Sequence, residues 1–238
     1  MKDRQKYWEV LGDKYGRGWS NQAQLAMSTR ELAFIVRNAE EIEAHRVLDC
    51  GVGHGRILAA LAACPPVSEL AGIDIADAMI ASCERRFATD KRFIGFSHCD
   101  ISTENVPFKS GFDLITAIRV LKYSDNWPAS LVRLLSVLRP EGRLVFSMPN
   151  RRSVNRLWKG HIHSTKTTHE ILDAVVSAVG CRTVEIAGFS RLPDLLYRFA
   201  SEAPLAAALE ASEAAFEAAL GPTLFTRELF VSIEKRSV

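Results

Sequence analysis

Apolar residues in the first two-thirds of the chain fall into short unbroken runs, and between the runs they recur every three to four positions. The runs predict strands at His45–Cys50 (HRVLDC), Leu70–Ile75 (LAGIDI), Phe93–Cys99, Phe112–Ile118 (FDLITAI) and Arg143–Met148 (RLVFSM), the third weakened by Gly95. The periodic stretches predict helices over Gly55–Ala63, Ala78–Phe87 and Pro128–Leu138. Strands that are apolar throughout, rather than alternating, belong to a parallel sheet covered on both faces. The fold class is therefore α/β, doubly wound.

The two ends read differently. Residues 1–44 precede the first strand and read as helical around a central GDKYGRGWSN turn, whereas Pro149–Lys166 is basic and irregular. A helix over Glu170–Val179 and strands at Arg182–Ile186 and Glu228–Glu234 follow, giving seven strands in all. Within the alanine-rich stretch Ser201–Leu220, residues Leu205, Leu209, Phe216 and Leu220 share one side of a helix, with Glu202, Glu210, Glu213 and Glu217 elsewhere. This predicts a helix docked by its leucine and phenylalanine side, or else a partner surface.

Composition narrows the function classes. Across 238 residues, 47% hydrophobic and 24% charged side chains describe an ordinary folded globule. Thirty basic against 28 acidic residues leave a net charge of +2, too little for broad charge-driven affinity for nucleic acid. No apolar run approaches the roughly 18 residues that cross a bilayer; Ile57–Val67 comes nearest and contains Pro65 and Pro66. Met1–Lys6 lacks the apolar core of a signal peptide, and the five cysteines form neither a CxxC pair nor a metal-like spacing. These features predict a cytoplasmic protein with free thiols.

The candidate chemistry begins at Asp49-Cys50-Gly51-Val52-Gly53-His54-Gly55-Arg56, where the first strand turns into a helix. Glycines there let the backbone approach a ligand, and the helix start offers free N–H groups to an anion. The dinucleotide spacing GxGxxG needs glycine at position 56, which is arginine. The spacing present is DxGxGxG. Its leading Asp49 would repel a pyrophosphate but suits an ammonium group. Asp74 lies 25 residues further on, at the end of the second strand, where a carboxylate can accept from both hydroxyls of a ribose or can instead cap the following helix. Asp100 ends the third strand in HCDI, as a third ligand or as a cap to a polar loop.

Together these stretches resemble the class I S-adenosylmethionine-dependent methyltransferases. VLDCGVGHGR is similar to that family's first motif, VLDxGxGxGR, and LAGIDIADAMI to its second. The series D…PF…GFDLI, FDLITAIRVLKY and LRPEGRLVFSMPN are similar to the later ones, so that the likeness covers residues 45–150, with a weaker echo in ELFVSIEKR. The resemblance implies a Rossmann-like, mostly parallel seven-stranded sheet whose last strand is antiparallel. It implies a helical lid over residues 1–44, a cofactor-binding domain over 45–238, and acceptor-side insertions at 150–166 and 190–225. It also implies S-adenosylmethionine as cofactor, held by Asp49, Gly51, Gly53, Gly55, Asp74 and Asp100, with Ile75 and Met79 sandwiching the adenine. Ile101 and Ile118 are further cofactor-side positions, and Tyr15 and Trp19 sit on the segment similar to the lid.

The chain departs from its relatives where many carry histidine after the fourth strand. Here the stretch is Val120-Leu121-Lys122-Tyr123, and Arg119 stands where an acid is common. Tyr123 is a candidate proton relay or a rim aromatic, and Lys122 reads as solvated. His161 and His163, in GHIHSTKT, are candidate bases at neutral pH, a metal pair or plain loop residues. No carboxylate cluster accompanies them, so no metal is expected. Arg151, Arg152, Arg156, Lys159 and Lys166 surround them and would grip an anionic or carrier-linked acceptor, or face solvent. The expected activity is methyl transfer to oxygen or nitrogen of a small metabolite, by a monomer or homodimer without membrane or nucleic-acid partners. The alternatives are a tRNA-type methyltransferase and a non-catalytic binding module.

Overall fold

The computed structural model describes residues 5–9, 21–157, 165–177 and 181–236. Seven strands form one sheet: β1 (Arg46–Cys50), β2 (Glu69–Asp74), β3 (Phe93–His98), β4 (Phe112–Ala117), β5 (Leu138–Pro149), β6 (Cys181–Phe189) and β7 (Glu228–Lys235). Their order is β3-β2-β1-β4-β5-β7-β6. The first five strands are parallel, and β7 runs antiparallel to both β5 and β6. The doubly wound sheet with an antiparallel last strand is thus the observed architecture. Strand β5 is longer than its apolar run because Leu138–Gly142 extends it before the buried stretch begins.

The unbroken apolar runs divide by alternation between two faces. Leu48, Ile73, Ile115, Phe146, Val231 and Ile233 face one core, which α4 (Trp127–Val137) and α5 (Thr168–Ser177) cover with Leu131, Leu134, Ile171 and Val175. Val47, Leu70, Leu114, Val145 and Phe230 face the other. That second core is covered by α1 (Gln22–Glu41), α2 (Arg56–Leu61) and α3 (Asp77–Arg86), through residues including Phe34, Ile35, Leu58 and Ile80. Burying a leucine or phenylalanine on each face contributes about 1.5–3 kcal/mol per side chain, so the two-sided pattern itself drives sheet formation.

Helix α1 begins at a capping box: Gln24 N–H donates to the Asn21 side chain at 2.8 Å. The Asn21 amide in turn donates to the carbonyls of Tyr197 and Arg198 at 2.8 and 2.9 Å, tying α1 to α6 (Asp194–Phe199). A third cluster of Ala23, Tyr197, Ala200, Ala206 and Leu209 joins α1, α6 and α7 (Ala203–Leu220).

Helix α7 corrects the expected docking face. Its buried residues are Ala206, Leu209 and Glu213, while Leu205 and Phe216 are 48% and 42% exposed and Leu220 is exposed as well. The cause is Glu213, which accepts from the Arg191 and Leu192 N–H groups at 2.6 and 3.0 Å and from the Tyr197 hydroxyl. A polar anchor, not the apolar stripe, sets the helix rotation.

Candidate functional site

The order of the sheet places a switch point between β1 and β4, where the chain direction of assembly reverses; ligands of doubly wound sheets bind beyond the carboxyl ends of such strands. A cleft opens there, walled by Gly51 and Gly53 after β1, Asp74, Ile75 and Met79 at and after the end of β2, Asp100 to Ser102 after β3, and Ile118 to Val120 with Tyr123 and Ser124 after β4.

The three glycines have separate duties. All adopt left-handed backbone, with φ of 77°, 52° and 75° at Gly51, Gly53 and Gly55. A Cβ on Gly51 would lie 2.2 Å from Val120 Cγ2, so this position lets the β1 and β4 tips close on each other. On Gly55 it would strike the Phe87 ring at 2.5 Å, so Gly55 serves packing at the start of α2 and does not line the cleft. On Gly53 it would meet nothing within 4 Å. Gly53 therefore keeps open a cradle that a side chain would fill.

The carboxylates stand around this turn. Asp74 is buried; its Oδ2 accepts from Gly53 N–H at 2.9 Å and its Oδ1 from Ala76 N–H at 3.0 Å. Burial pushes its pKa up, against those backbone donors, and the nearby Glu9 carboxylate adds to the rise. Asp100 Oδ1 accepts from the Ser102 N–H and hydroxyl at 2.9 and 2.6 Å, so it does shape its own loop while also lining the cleft. Asp49 lies directly behind the lining residues Cys50 and Gly51. Its Oδ1 accepts from the Thr116 hydroxyl at 2.6 Å, but its buried Oδ2 has no hydrogen-bond partner. Desolvation drives its pKa up to about 8, opposed by Thr116 and Arg56. A buried carboxylate oxygen left incomplete beside an open cradle fits a ligand that brings a positive group.

Of the expected cofactor residues, Gly51, Gly53, Asp74, Ile75, Met79, Asp100, Ile101 and Ile118 meet at this one cleft. Tyr123 lines it too. Tyr15, Trp19, His161 and His163 lie outside the described residues, as does Lys159. Trp8, absent from the expectation, lines the cleft and packs edge-on against Tyr123 with ring centroids 5.4 Å apart. Glu9 beside it accepts from Asp77 N–H at the start of α3, at 2.8 Å. Trp8 and Glu9 thus border the cleft, whereas Gln22–Glu41, in the same 1–44 stretch, packs on the sheet. Cys50, Cys99 and Arg119 also line the cleft unforeseen. A single tryptophan in a charged segment gives no period to mark it.

Residues 47–142 match a family model described as methyltransferase domain. Over that stretch the chain is similar to methyltransferase domains, and the matched span takes in β1 to β4 and every described cleft residue except Trp8. Among curated proteins, the chain is 30% identical to a trans-aconitate 2-methyltransferase of Variovorax paradoxus, over 57% of this chain and 46% of that protein. It is 27% identical to a ubiquinone biosynthesis O-methyltransferase of Rhodopseudomonas palustris, over 52% and 46% respectively. The alignments span less than half the length of these relatives. Among solved structures, the cyclase SpnF superposes with a TM-score of 0.69 at 17% identity, covering 98% of this chain and 95% of that one, a likeness of fold.

None of the five cysteines is in a disulfide. Among the described residues no group of three His, Cys, Asp or Glu side chains is placed to hold a metal ion. No described helix is long and apolar enough to cross a membrane.

Proposed function

We propose that this protein binds S-adenosylmethionine in the cleft at the β1–β4 tips and transfers its methyl group to an oxygen or nitrogen of a small metabolite. The observation that carries the reading is the incomplete Asp49 carboxylate behind an open glycine cradle, with Asp74 and Asp100 at the next two strand tips. When bound, the cofactor supplies a methyl group already activated by its sulfonium.

The chain's own residues then bind, orient and exclude water. Asp49 would offer charge to the ammonium end, and Gly53 would give the backbone its close approach. Asp74, held by its two backbone donors, would take the ribose, and Asp100 the adenine. Ile75 and Met79 would supply the apolar contact for the base. Tyr123, its ring fixed between Trp8 and the Lys122 ammonium 5.1 Å from its centroid, is the described candidate for orienting the acceptor or passing a proton. His161 and His163, which follow β5 in sequence, remain candidate bases. Fixing an acceptor in line with an activated group is worth roughly 7–11 kcal/mol of barrier, so positioning carries most of the catalysis.

The curated relatives' names support a small acceptor, and one names oxygen as the atom methylated. Incubating the protein with S-adenosylmethionine and fractionated metabolite pools tests the reading. Formation of S-adenosylhomocysteine that depends on one fraction, with a product heavier by one methyl group, is the expected result. Cofactor binding without turnover in any pool, or turnover only with RNA, would replace it with one of the two alternatives.

A further inference from the structure

The cleft's two walls are connected behind the surface by one buried side chain. Helix α1 turns three polar residues inward, Ser28, Glu31 and Asn38, among Phe34, Ile35 and Ala39. Asn38 meets Arg143 and Ser232 further down the sheet. Ser28 and Glu31 lie toward the carboxyl ends of the strands. Arg56 donates to the Ser28 hydroxyl at 2.6 Å and to Glu31 Oε2 at 3.3 Å, and Arg119 pairs with Glu31 Oε1. Glu31 is 1% exposed.

The two arginines lead to different walls: Arg119 lines the cleft itself, and Arg56 stands behind the glycine turn. Arg56 is the first residue of α2, the helix that ends the glycine turn. Arg119 lies between Ile118 and Val120, both of which line the cleft after β4. Its backbone is left-handed, with φ of 62°, a conformation costly to a non-glycine residue. Anchors on three sides hold it there: Glu31, Glu228 at 2.9 Å, and the Ser147 hydroxyl that accepts its N–H at 2.8 Å. Ser147 also donates to Glu228 at 2.8 Å. The three cations Arg119, Lys122 and Arg227 hold Glu228 ionised, with a pKa of about 2 despite the desolvation that opposes it.

The consequence is mechanical. Val120 Cγ2 stands 2.2 Å from where a Gly51 Cβ would be, so the glycine turn and the β4 turn are already at closest approach. A shift of Arg119 carries Val120 with it and changes the gap in which the amino-acid end of a ligand would lie. Hydrophobic residues of similar volume commonly replace buried ion pairs without loss of stability, so packing alone does not require Glu31.

We infer that Glu31 is a positioning residue, a clamp that sets the cofactor gap by joining Arg56 on one wall to Arg119 on the other. The inference rests on the proposed cofactor reading. Its test is calorimetric titration of Glu31→Gln with S-adenosylhomocysteine, well below the melting temperature, beside the unaltered protein. The expected result is at least a tenfold weaker dissociation constant with unchanged far-ultraviolet circular dichroism. Adding Arg119→Gln should bring less than the product of the two single effects, because Glu31 acts through Arg119. A merely structural Glu31 lowers the melting temperature and leaves the affinity of the folded protein within twofold, which would overturn the clamp. If Glu31→Gln does not fold, Arg56→Met removes one arm and carries the same two outcomes. Failure of the unaltered protein to bind defeats the cofactor reading itself and is read separately.

Discussion

The β1 tip and the helical insertion between β6 and β7 each bury a carboxylate, and they complete it in opposite ways. Glu213 is surrounded: two backbone N–H groups, the Tyr197 hydroxyl and the Arg191 guanidinium all meet it. Asp49 has Thr116 on one oxygen and nothing on the other. A saturated buried acid fixes structure, since its desolvation is offset within the fold. An incomplete one carries a standing cost that a proton or a positively charged ligand relieves, and its raised pKa expresses that cost. On the proposed reading, the two regions separate stability from binding.

The sharpest way to break this comparison is Glu213→Ala. It leaves Arg191 buried without its partner and should cost about 3–5 kcal/mol of folding stability. Affinity for S-adenosylhomocysteine should be unchanged; weakened affinity in the folded variant would join the insertion to the cofactor site. Gly51→Ala comes next, with a predicted loss of about 2–4 kcal/mol from the Val120 clash and the left-handed backbone. Gly53→Ala has open space at its Cβ and only the backbone penalty of roughly 1–2 kcal/mol. Its main effect should fall on cofactor affinity, so denaturation and titration rank the two glycines in opposite orders.

The pH acts on the cleft through the same carboxylate. Because the Asp49 pKa in the folded protein is raised to about 8, the proton-linked stability from this group is full below the unfolded carboxylate value near 4. It is lost as pH rises toward 8, so the ligand-free protein should lose this contribution to stability across that window. At the small end, Phe216→Ala on α7 should change stability by less than about 0.5 kcal/mol, because the side chain is exposed. A loss comparable to Glu213→Ala would restore the apolar stripe as the docking face.

The same contrast explains what the chain's letters disclose. Period and spacing reveal the strands, because a strand covered on both faces must be apolar throughout; Val47-Leu48 and Leu114-Ile115 carry that signal locally. The glycine turn and the three aspartates are legible because their residue types recur at a fixed local spacing, even though Asp49 meets Thr116 and Gly51 meets Val120 from far along the chain. Arg119 reads only as a departure, since its partners Glu31 and Glu228 are 88 and 109 positions away. Helix α7 misleads for the same reason: its apolar stripe is local information, whereas Glu213 is held by Arg191, Leu192 and Tyr197, which no period within α7 can announce. Trp8 belongs to neither kind, an isolated aromatic that reaches the cleft by tertiary packing.

One titration bears on the whole account: S-adenosylhomocysteine binding to the unaltered protein and to Asp49→Asn at pH 6 and pH 8, with NAD as the competing ligand. If the bound state needs an ionised Asp49, the unaltered protein should bind more than tenfold tighter at pH 8, since about 1% of a group with that pKa is ionised at pH 6 and about half at pH 8. Asp49→Asn should bind weakly and equally at both. Tight binding of NAD with none of the adenosyl compound, or an affinity in the unaltered protein that does not move between the two pH values, would contradict it.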